Sequence, residues 1–267
     1  MRTAEASRLL AAAERVVVLT GAGLSTGSGI PDFRGPQGVW TRDPAAARMA
    51  TLATYTADPA VRRRSWQGRL AHGAWTAQPG AGHRALVALE RTGRLAALLT
   101  QNVDELHQAA GTGAHLLLEL HGTIHETVCL QCAARAPMEL ALDRVRAGDP
   151  DPCCRVCGGL LKSATISFGQ HLDQPLMRRA RALVAGADVL LAAGSSLTVQ
   201  PVAALCRVAT RAGARLAVVN GEPTPYDEVA LSSGGLVLRG DVDELLPLVV
   251  AGVPALAAPA GVGALRR

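Results

Sequence analysis

Residues 20–35 read TGAGLSTGSGIPDFRG and follow directly on the apolar run Val16–Thr20. A short apolar run that ends in Gly21-Ala22-Gly23 is typical of a buried strand entering a nucleotide-binding turn. Glycine lets backbone amides approach a pyrophosphate with no Cβ in the way, and the start of the next helix favours the negative charge. The stretch therefore predicts an α/β fold with a dinucleotide-binding turn.

The rest of this loop departs from the pattern of a nicotinamide dehydrogenase. Gly27 stands one residue too late for the G-x-G-x-x-G fingerprint, and no strand ending in Asp or Glu follows about 20 residues later to hold a ribose. Phe33 and Arg34 give the loop an aromatic ring and a guanidinium that a tight turn does not need. We interpret the aromatic side chain as a cover for a bound ring or for a reactive centre.

Outward from this loop, short apolar runs alternate with segments of helical periodicity. Further strands are expected at 95–100, 115–120, 187–193, 215–220 and 236–239, and helices at 82–91, 174–185 and 199–212. Continuous apolar strands that alternate with amphipathic helices predict a parallel sheet covered on both faces. The predicted fold class is a doubly wound, Rossmann-like α/β sheet.

Composition and charge exclude several classes of function. The chain has 27 Lys and Arg against 22 Asp and Glu, but its arginines are scattered and form no nucleic-acid-binding arm. The first residues lack the order of a secretory signal, and the uncharged stretch 245–265 contains too many prolines and glycines to span a membrane as a helix. We expect a cytoplasmic protein with neither membrane nor direct nucleic-acid contact.

Polar side chains follow two of the predicted strands. Gln101-Asn102-Val103-Asp104 comes after one strand and His121 after the next, and strand ends of a parallel sheet meet at one edge. Asn102 and Asp104 either face this crevice or only cap a following helix, and His121 is either a base or a structural histidine. His121 alone of the seven histidines lies between a strand end and a glycine, where an imidazole suits a general base.

The cysteines form two C-x-x-C pairs within an insertion at 123–165. Four thiolates in this spacing predict one closed, structural zinc site, although two disulfides or a redox pair are alternatives. Cys153 and Cys154 are alternatives for one ligand, and Cys154 is preferred because it leaves the usual two residues before Cys157. The predicted ligands are Cys129, Cys132, Cys154 and Cys157. Cys206 is predicted to be a small buried apolar residue.

In their order and spacing these motifs resemble the sirtuin family, the NAD-dependent protein deacylases. The resemblance rests on residues 20–35, TQNVDELH at 100–107, HGT at 121–123, the four cysteines and GSSLTVQP at 194–201. It implies an NAD-binding domain made of residues 1–35, 80–122 and 166–250. A helical insertion at 36–79 and the zinc module at 123–165 would form a small domain, with 251–267 as a flexible tail. Acyl-lysine would enter the cleft between the two domains.

The resemblance also implies roles for individual residues. The pyrophosphate and its ribose would meet Gly21, Ala22, Gly23 and Ser25; the nicotinamide ribose would meet Gln101 and Asn102; and the carboxamide would meet Ile30, Val103 and Asp104. The adenosine half would lie against Gly194, Ser195, Ser196, Asn220, Gly221, Glu222 and Val242. Phe33 would shield C1′ from water, and Arg34 would set the loop and the phosphates.

In this family NAD is consumed as a co-substrate. The acyl oxygen would attack C1′ as nicotinamide leaves, and His121, with Asn102 as the second catalytic residue, would take a proton from a ribose hydroxyl. The products would be free lysine, nicotinamide and O-acyl-ADP-ribose.

Two positions depart from the family pattern. Residues 166–170 read ISFGQ where apolar-Phe-Phe-Gly-Glu is common, yet Ile166 and Phe168 are still expected at the substrate, since strand addition needs only backbone. Trp66 and Arg69 stand at the positions of a Tyr-x-x-Arg motif that binds acidic acyl groups in some family members, with tryptophan in place of tyrosine. The two side chains either contact the acyl group or only pack the insertion. We expect deacetylation, with desuccinylation, long-chain deacylation and protein mono-ADP-ribosyl transfer as alternatives.

Overall fold

The central sheet has six parallel strands. The computed structural model describes residues 2–43, 46–47 and 50–257. The strands of this sheet are β1 Val16–Thr20, β2 Leu95–Thr100, β3 Leu117–Glu119, β7 Val189–Ala193, β8 Arg215–Asn220 and β9 Leu236–Arg239. Their order in the sheet is β3-β2-β1-β7-β8-β9. The chain therefore adds β2 and β3 on one side of β1, and then crosses over to add the other three strands on the opposite side. The predicted doubly wound sheet is confirmed, and its switch point between β1 and β7 leaves a crevice at the strand ends.

Both faces of the sheet are covered, as the continuous apolar strands predict. Val16 and Val18 of β1 lie in one core cluster, and Val17 and Leu19 lie in the other. All five residues of β1 are buried because helices pack on either side. The helices around the sheet are Arg2–Ala11, Ala81–Arg91, Leu106–Ala110, Gln174–Ala185, Leu205–Arg211, Asp227–Ser232 and Val242–Val250.

The strand expected at 187–193 begins two residues later and the helix expected at 82–91 begins one residue earlier, while two other predicted elements are shortened at both ends. The strand expected at 115–120 is shortened to β3, because the chain turns at its start, where Leu116 N donates to the Gly113 carbonyl. The helix expected at 199–212 begins at Leu205; before it the chain passes through tight turns, in which Ala204 N donates to the Pro201 carbonyl at 3.2 Å.

The two insertions pack together beside the sheet. The cysteine segment forms an antiparallel sheet, β5-β4-β6, with bounds β4 Gly122–Cys129, β5 Arg135–Pro137 and β6 Leu161–Thr165, and a helix at Met138–Arg146. The helical insertion supplies helices at Val39–Arg42, Leu52–Ala57 and Pro59–Leu70. Trp66 and Met138 share one apolar cluster, and Arg62 pairs with Asp151 at 2.8 Å, so both insertions contribute to one small module.

The chain beyond the last helix contacts the body of the molecule. Val253 is buried, and Leu256 N donates to the Thr92 carbonyl at 2.8 Å. The rest of the predicted tail, 258–267, lies outside the described residues. Within the described ranges, no helix combines the length and the apolar content that crossing a membrane requires.

Candidate active site

The glycine loop lies directly against the loop that follows β7. Gly23 N donates to the Gly194 carbonyl at 2.8 Å, and a Cβ on either Gly21 or Gly23 would lie 2.9 Å from that oxygen. Gly194 has a φ of 63°, and its own added Cβ would lie 2.4 Å from Leu24 N. Sequence reasoning explained the glycines by access to a phosphate. The structure adds a second reason, since the backbone of Gly21 and Gly23 lies so close to the backbone of Gly194 that no side chain fits between them.

Three buried side chains form a hydrogen-bonded network behind this loop. Ser25 Oγ donates to Asp104 Oδ2 at 2.7 Å, and Asn102 Nδ2 donates to Ser25 Oγ at 3.0 Å. The other carboxylate oxygen of Asp104 accepts from Leu106 N at 3.1 Å, at the start of the helix Leu106–Ala110. Asp104 thus combines the two roles that the sequence allowed. One carboxylate oxygen caps the helix through Leu106 N, and the other bonds to Ser25 of the glycine loop.

His121 is held by the loop that carries this network. Its Nδ1 lies 3.2 Å from the Gln101 carbonyl, which only accepts, so the bond requires the hydrogen on Nδ1. In the neutral ring Nε2 then carries a free lone pair. Burial lowers the pKa of His121 below its usual value, against a smaller opposing effect of this hydrogen bond. Together these effects leave a ring that is neutral at physiological pH, with Nε2 unprotonated.

One cleft of about 650 Å³ brings the predicted residues together. Gln101 crosses it, because Gln101 Nε2 donates to Ser195 Oγ at 2.9 Å on the far side of β1. The predicted residues that line the cleft are Gly21, Ala22, Gly23, Ser25, Ile30, Phe33, Arg34, Arg69, Gln101, Asn102, Val103, Asp104, His121, Ile166, Phe168, Gly194, Ser195, Ser196, Asn220, Gly221, Glu222 and Val242. Segments far apart in sequence thus meet at the crevice that the sheet topology provides.

Trp66 is the predicted site residue that the structure keeps away from the cleft. Its side chain is buried in the core of the small module, beside Met138 and Leu142. Arg69, one turn later, does reach the cleft and donates to Ser163 Oγ at 2.9 Å. Trp66, which the sequence offered either as a substrate contact or as a packing residue, therefore packs, because the helix Pro59–Leu70 presents this side chain to the module core.

The cleft also contains side chains that sequence reasoning missed. Tyr55 is buried and donates its hydroxyl to the Leu161 carbonyl at 2.6 Å, and Trp40 also lines the cleft. Lys162 is buried as well, donating to the carbonyls of Ser163, at 2.9 Å, and Thr165. Burial, with a smaller contribution from Arg69, lowers the pKa of Lys162 to about 8. No motif indicates these three residues, since each reaches the cleft through packing of the insertions.

The four predicted zinc ligands lie together in the small module. Sγ atoms of Cys129 and Cys157 are 3.5 Å apart, those of Cys132 and Cys154 are 3.7 Å apart, and all four lie within 4.8 Å of one another. Zn–S bonds of about 2.3 Å give a tetrahedron with edges of ~3.8 Å, so the set fits zinc. Cys153 is exposed and outside the set, which answers the choice between it and Cys154.

Cys206 is a separate case. It is buried in the core beneath the sheet, and burial raises the pKa of its thiol to about 12. The thiol therefore behaves as the apolar residue that the sequence predicts.

Comparison with known proteins agrees with this geometry. A model of the Sir2 family matches residues 21–201. The NAD-dependent protein deacetylase 2 of Streptomyces coelicolor is 50% identical over 238 residues, which cover 89% of this chain and 97% of that protein. The NAD-dependent protein deacetylase 1 of Bradyrhizobium diazoefficiens is 42% identical over 240 residues, covering 89% of this chain and 91% of that protein.

Solved structures agree over nearly the whole chain. A Sir2 structure with a deacetylated p53 peptide and 3′-O-acetyl-ADP-ribose has a TM-score of 0.84 at 32% identity, covering 95% of this chain and 100% of that one. A Sir2 structure bound to a propionylated peptide has a TM-score of 0.82 at 32% identity, covering 94% and 98%. The sirtuin resemblance seen in the motifs is thereby confirmed, and the chain belongs to the Sir2 family.

Proposed function

We propose that this protein is an NAD-dependent protein-lysine deacylase that removes acetyl groups. The observation that carries the proposal is that one cleft holds the glycine loop, the network of Ser25, Asn102 and Asp104, and the imidazole of His121. The relatives at 50% and 42% identity are named as protein deacetylases, and they match the chain over nearly all of its length.

NAD is proposed to lie along the strand ends. Its pyrophosphate would meet the backbone of the glycine loop, and its adenosine half would lie over the loops after β7 and β8. The nicotinamide ribose would meet Gln101 and Asn102, while Ile30, Val103 and Asp104 would enclose the carboxamide. Support comes from the Gln101 to Ser195 hydrogen bond, which joins the two halves of this surface and gives the cofactor a continuous floor.

His121 is proposed as the general base. With Nδ1 donating to the Gln101 carbonyl, its free Nε2 can accept a proton from a ribose hydroxyl. In the proposed reaction the acyl oxygen would bond to C1′ as the bond to nicotinamide breaks. The ribose hydroxyl that gives its proton to His121 would then attack the acyl carbon, and one water would be consumed as the lysine amine leaves. The products are free lysine, nicotinamide and O-acyl-ADP-ribose.

Phe33 is proposed to exclude water from C1′. Its ring is 43% exposed although it belongs to a loop beside the glycines, so a large apolar face is open to the cleft. A ligand that covers this ring gains the free energy of removing it from water. Arg34 stacks beside it on Trp40, with Cζ 4.5 Å from the ring centroid, and would set the position of the loop.

Acyl-lysine proteins or peptides are the proposed second substrate, bound along residues 166–170. Phe168 N and its carbonyl already bond to Ala50 and Leu52, at 2.9 Å each. A peptide strand would therefore add on the opposite side, at Gly169, and at Ser167 it would replace the bonds that the Ser167 backbone makes to Gln170. One structural zinc in the four-cysteine site would hold the small module, and a closed thiolate set leaves it no position for chemistry.

The predicted division into an NAD-binding domain and a small domain remains part of the proposal. It is supported by the apolar cluster that both insertions share. A cytoplasmic location is also proposed, because a four-thiolate zinc site requires reduced cysteines.

The test is mass spectrometry of matched acetyl-, succinyl- and long-chain acyl-lysine peptides, each incubated with the protein with and without NAD. Loss of acetyl together with one nicotinamide and one O-acetyl-ADP-ribose per turnover is expected. Acyl loss without NAD, or ADP-ribose attached to protein with no acyl loss from any peptide, would refute the proposal. The second of these outcomes would indicate a protein ADP-ribosyltransferase.

A further inference from the structure

Three aromatic rings that line the cleft form a continuous row. The ring centroids of Phe33 and Trp40 are 4.7 Å apart, and those of Trp40 and Phe168 are 5.4 Å apart. Both distances lie in the range of favourable aromatic pairs. Phe33 belongs to the loop proposed for NAD, and Phe168 belongs to the segment proposed for the peptide. Among the residues that the structure describes, Trp40 is thus the ring that contacts both Phe33 and Phe168.

The backbone holds each end of this row in place. Trp40 N donates to the Phe33 carbonyl at 2.9 Å, which fixes the tryptophan to the NAD loop. At the other end, Phe168 N donates to the Ala50 carbonyl and Leu52 N donates to the Phe168 carbonyl, each at 2.9 Å. A shift of Phe33 or Phe168 therefore changes the packing of Trp40 directly, with no intervening residue.

The two outer rings of the row are partly exposed. Phe33 is 43% exposed and Phe168 is 39% exposed, so both outer rings present apolar surface to the cleft. A ligand that covers one outer ring restricts it, and through Trp40 it restricts the other. The second ligand then meets a surface whose conformational entropy has already been reduced, which favours its binding.

We propose that Trp40 couples the binding of the two substrates, so that each binds more tightly when the other is present. The inference rests on the proposed function, because it assigns Phe33 to the NAD side and Phe168 to the acyl-peptide side. Trp40 acts here as a positioning residue. It contributes through its two neighbours, and Arg34 on its face adds a further contact to the NAD loop.

The experiment measures the affinity of an acetyl-lysine peptide by calorimetry, with and without saturating ADP-ribose, which binds without reacting. For the wild type we expect the peptide to bind about tenfold more tightly with ADP-ribose, and ADP-ribose to gain the same factor from the peptide. Trp40→Leu keeps apolar bulk without a ring and should reduce the factor to near one. Trp40→Phe should retain most of it, and the control Leu231→Ala, at an exposed side chain outside the cleft, should retain all of it.

Each outcome is decisive. The inference would be overturned if ADP-ribose leaves the peptide affinity of the wild type almost unchanged. It would also be overturned if Trp40→Leu unfolds cooperatively, and so is folded, but shows the same gain in affinity as the wild type. Equal weakening of both ligands in Trp40→Leu with an unchanged factor would also overturn it, since that result means a merely structural residue. If the wild type binds ADP-ribose but no acyl-lysine peptide in any condition, the deacylase proposal itself is refuted and the inference with it.

Discussion

Replacing Cys154 with serine should remove the zinc and unfold the small module, whereas Cys153→Ser should do neither. Cys154 Sγ lies 3.7 Å from Cys132 Sγ, close to the ~3.8 Å edge expected for zinc, while Cys153 Sγ is exposed and lies against the Asp151 carbonyl. Structural zinc contributes on the order of 10 kcal/mol of binding free energy, comparable with the whole stability of a domain. The small apolar cluster of the module cannot replace a contribution of that size.

The assay is metal analysis of the purified proteins by mass spectrometry, followed by limited proteolysis. About one zinc per chain is expected for the wild type and for Cys153→Ser, as one closed site requires. Cys154→Ser should contain almost none, and it should be cut within residues 123–165 under conditions that leave the control intact. Zinc retained by Cys154→Ser, or lost by Cys153→Ser, would refute the ligand set and the reasoning from geometry.

Three further predictions concern the cleft. His121→Ala should bind ADP-ribose with an affinity near that of the wild type but lose about 10²–10⁴-fold in kcat, and near-normal deacetylation would exclude the base role. Because burial lowers the pKa of His121 and the base acts when neutral, the acid limb of the pH profile of kcat/KM should fall below pH ~6.5; a limb above that value would contradict the assignment. Gly29 has a φ of 83°, and a Cβ added there would have no atom within 4 Å. Gly29→Ala should therefore lower the free energy of unfolding by about 1–2 kcal/mol through backbone strain alone. Gly194→Ala should cost more, because its Cβ also meets Leu24 N, and it should weaken ADP-ribose binding; equal effects in thermal unfolding would count against the close approach of the two loops.

The sheet could be predicted from the sequence because its strands are continuous apolar runs. Strands Val16–Thr20, Leu95–Thr100, Arg215–Asn220 and Leu236–Arg239 begin and end at the predicted residues. Boundaries failed where the chain turns without a change in hydrophobicity, as in HLL at 115–117 and VQPVAA at 199–204. Local hydrogen bonding decides those ends, and periodicity does not record it.

The residues of the site fall into those that could be predicted from the sequence and those that could not. Residues at strand ends, such as Gln101 and His121, could be placed because the topology of a parallel sheet puts those ends on one edge. Residues of the insertions could not. Trp66 and Arg69 lie one turn apart on the same helix, yet the first packs in the module core and the second reaches the cleft. Only tertiary packing decides which part of a helix faces the cleft.

Lys162 is the only lysine in this sequence; it is buried at the cleft, and its amine is bonded to backbone carbonyls. The positive charge of the exterior is therefore carried by arginine, which is not a target of lysine acylation. A protein proposed to remove acyl groups from lysine thus presents no exposed lysine side chain of its own. It would neither compete with its clients as a self-substrate nor lose surface charge when metabolic acyl donors accumulate.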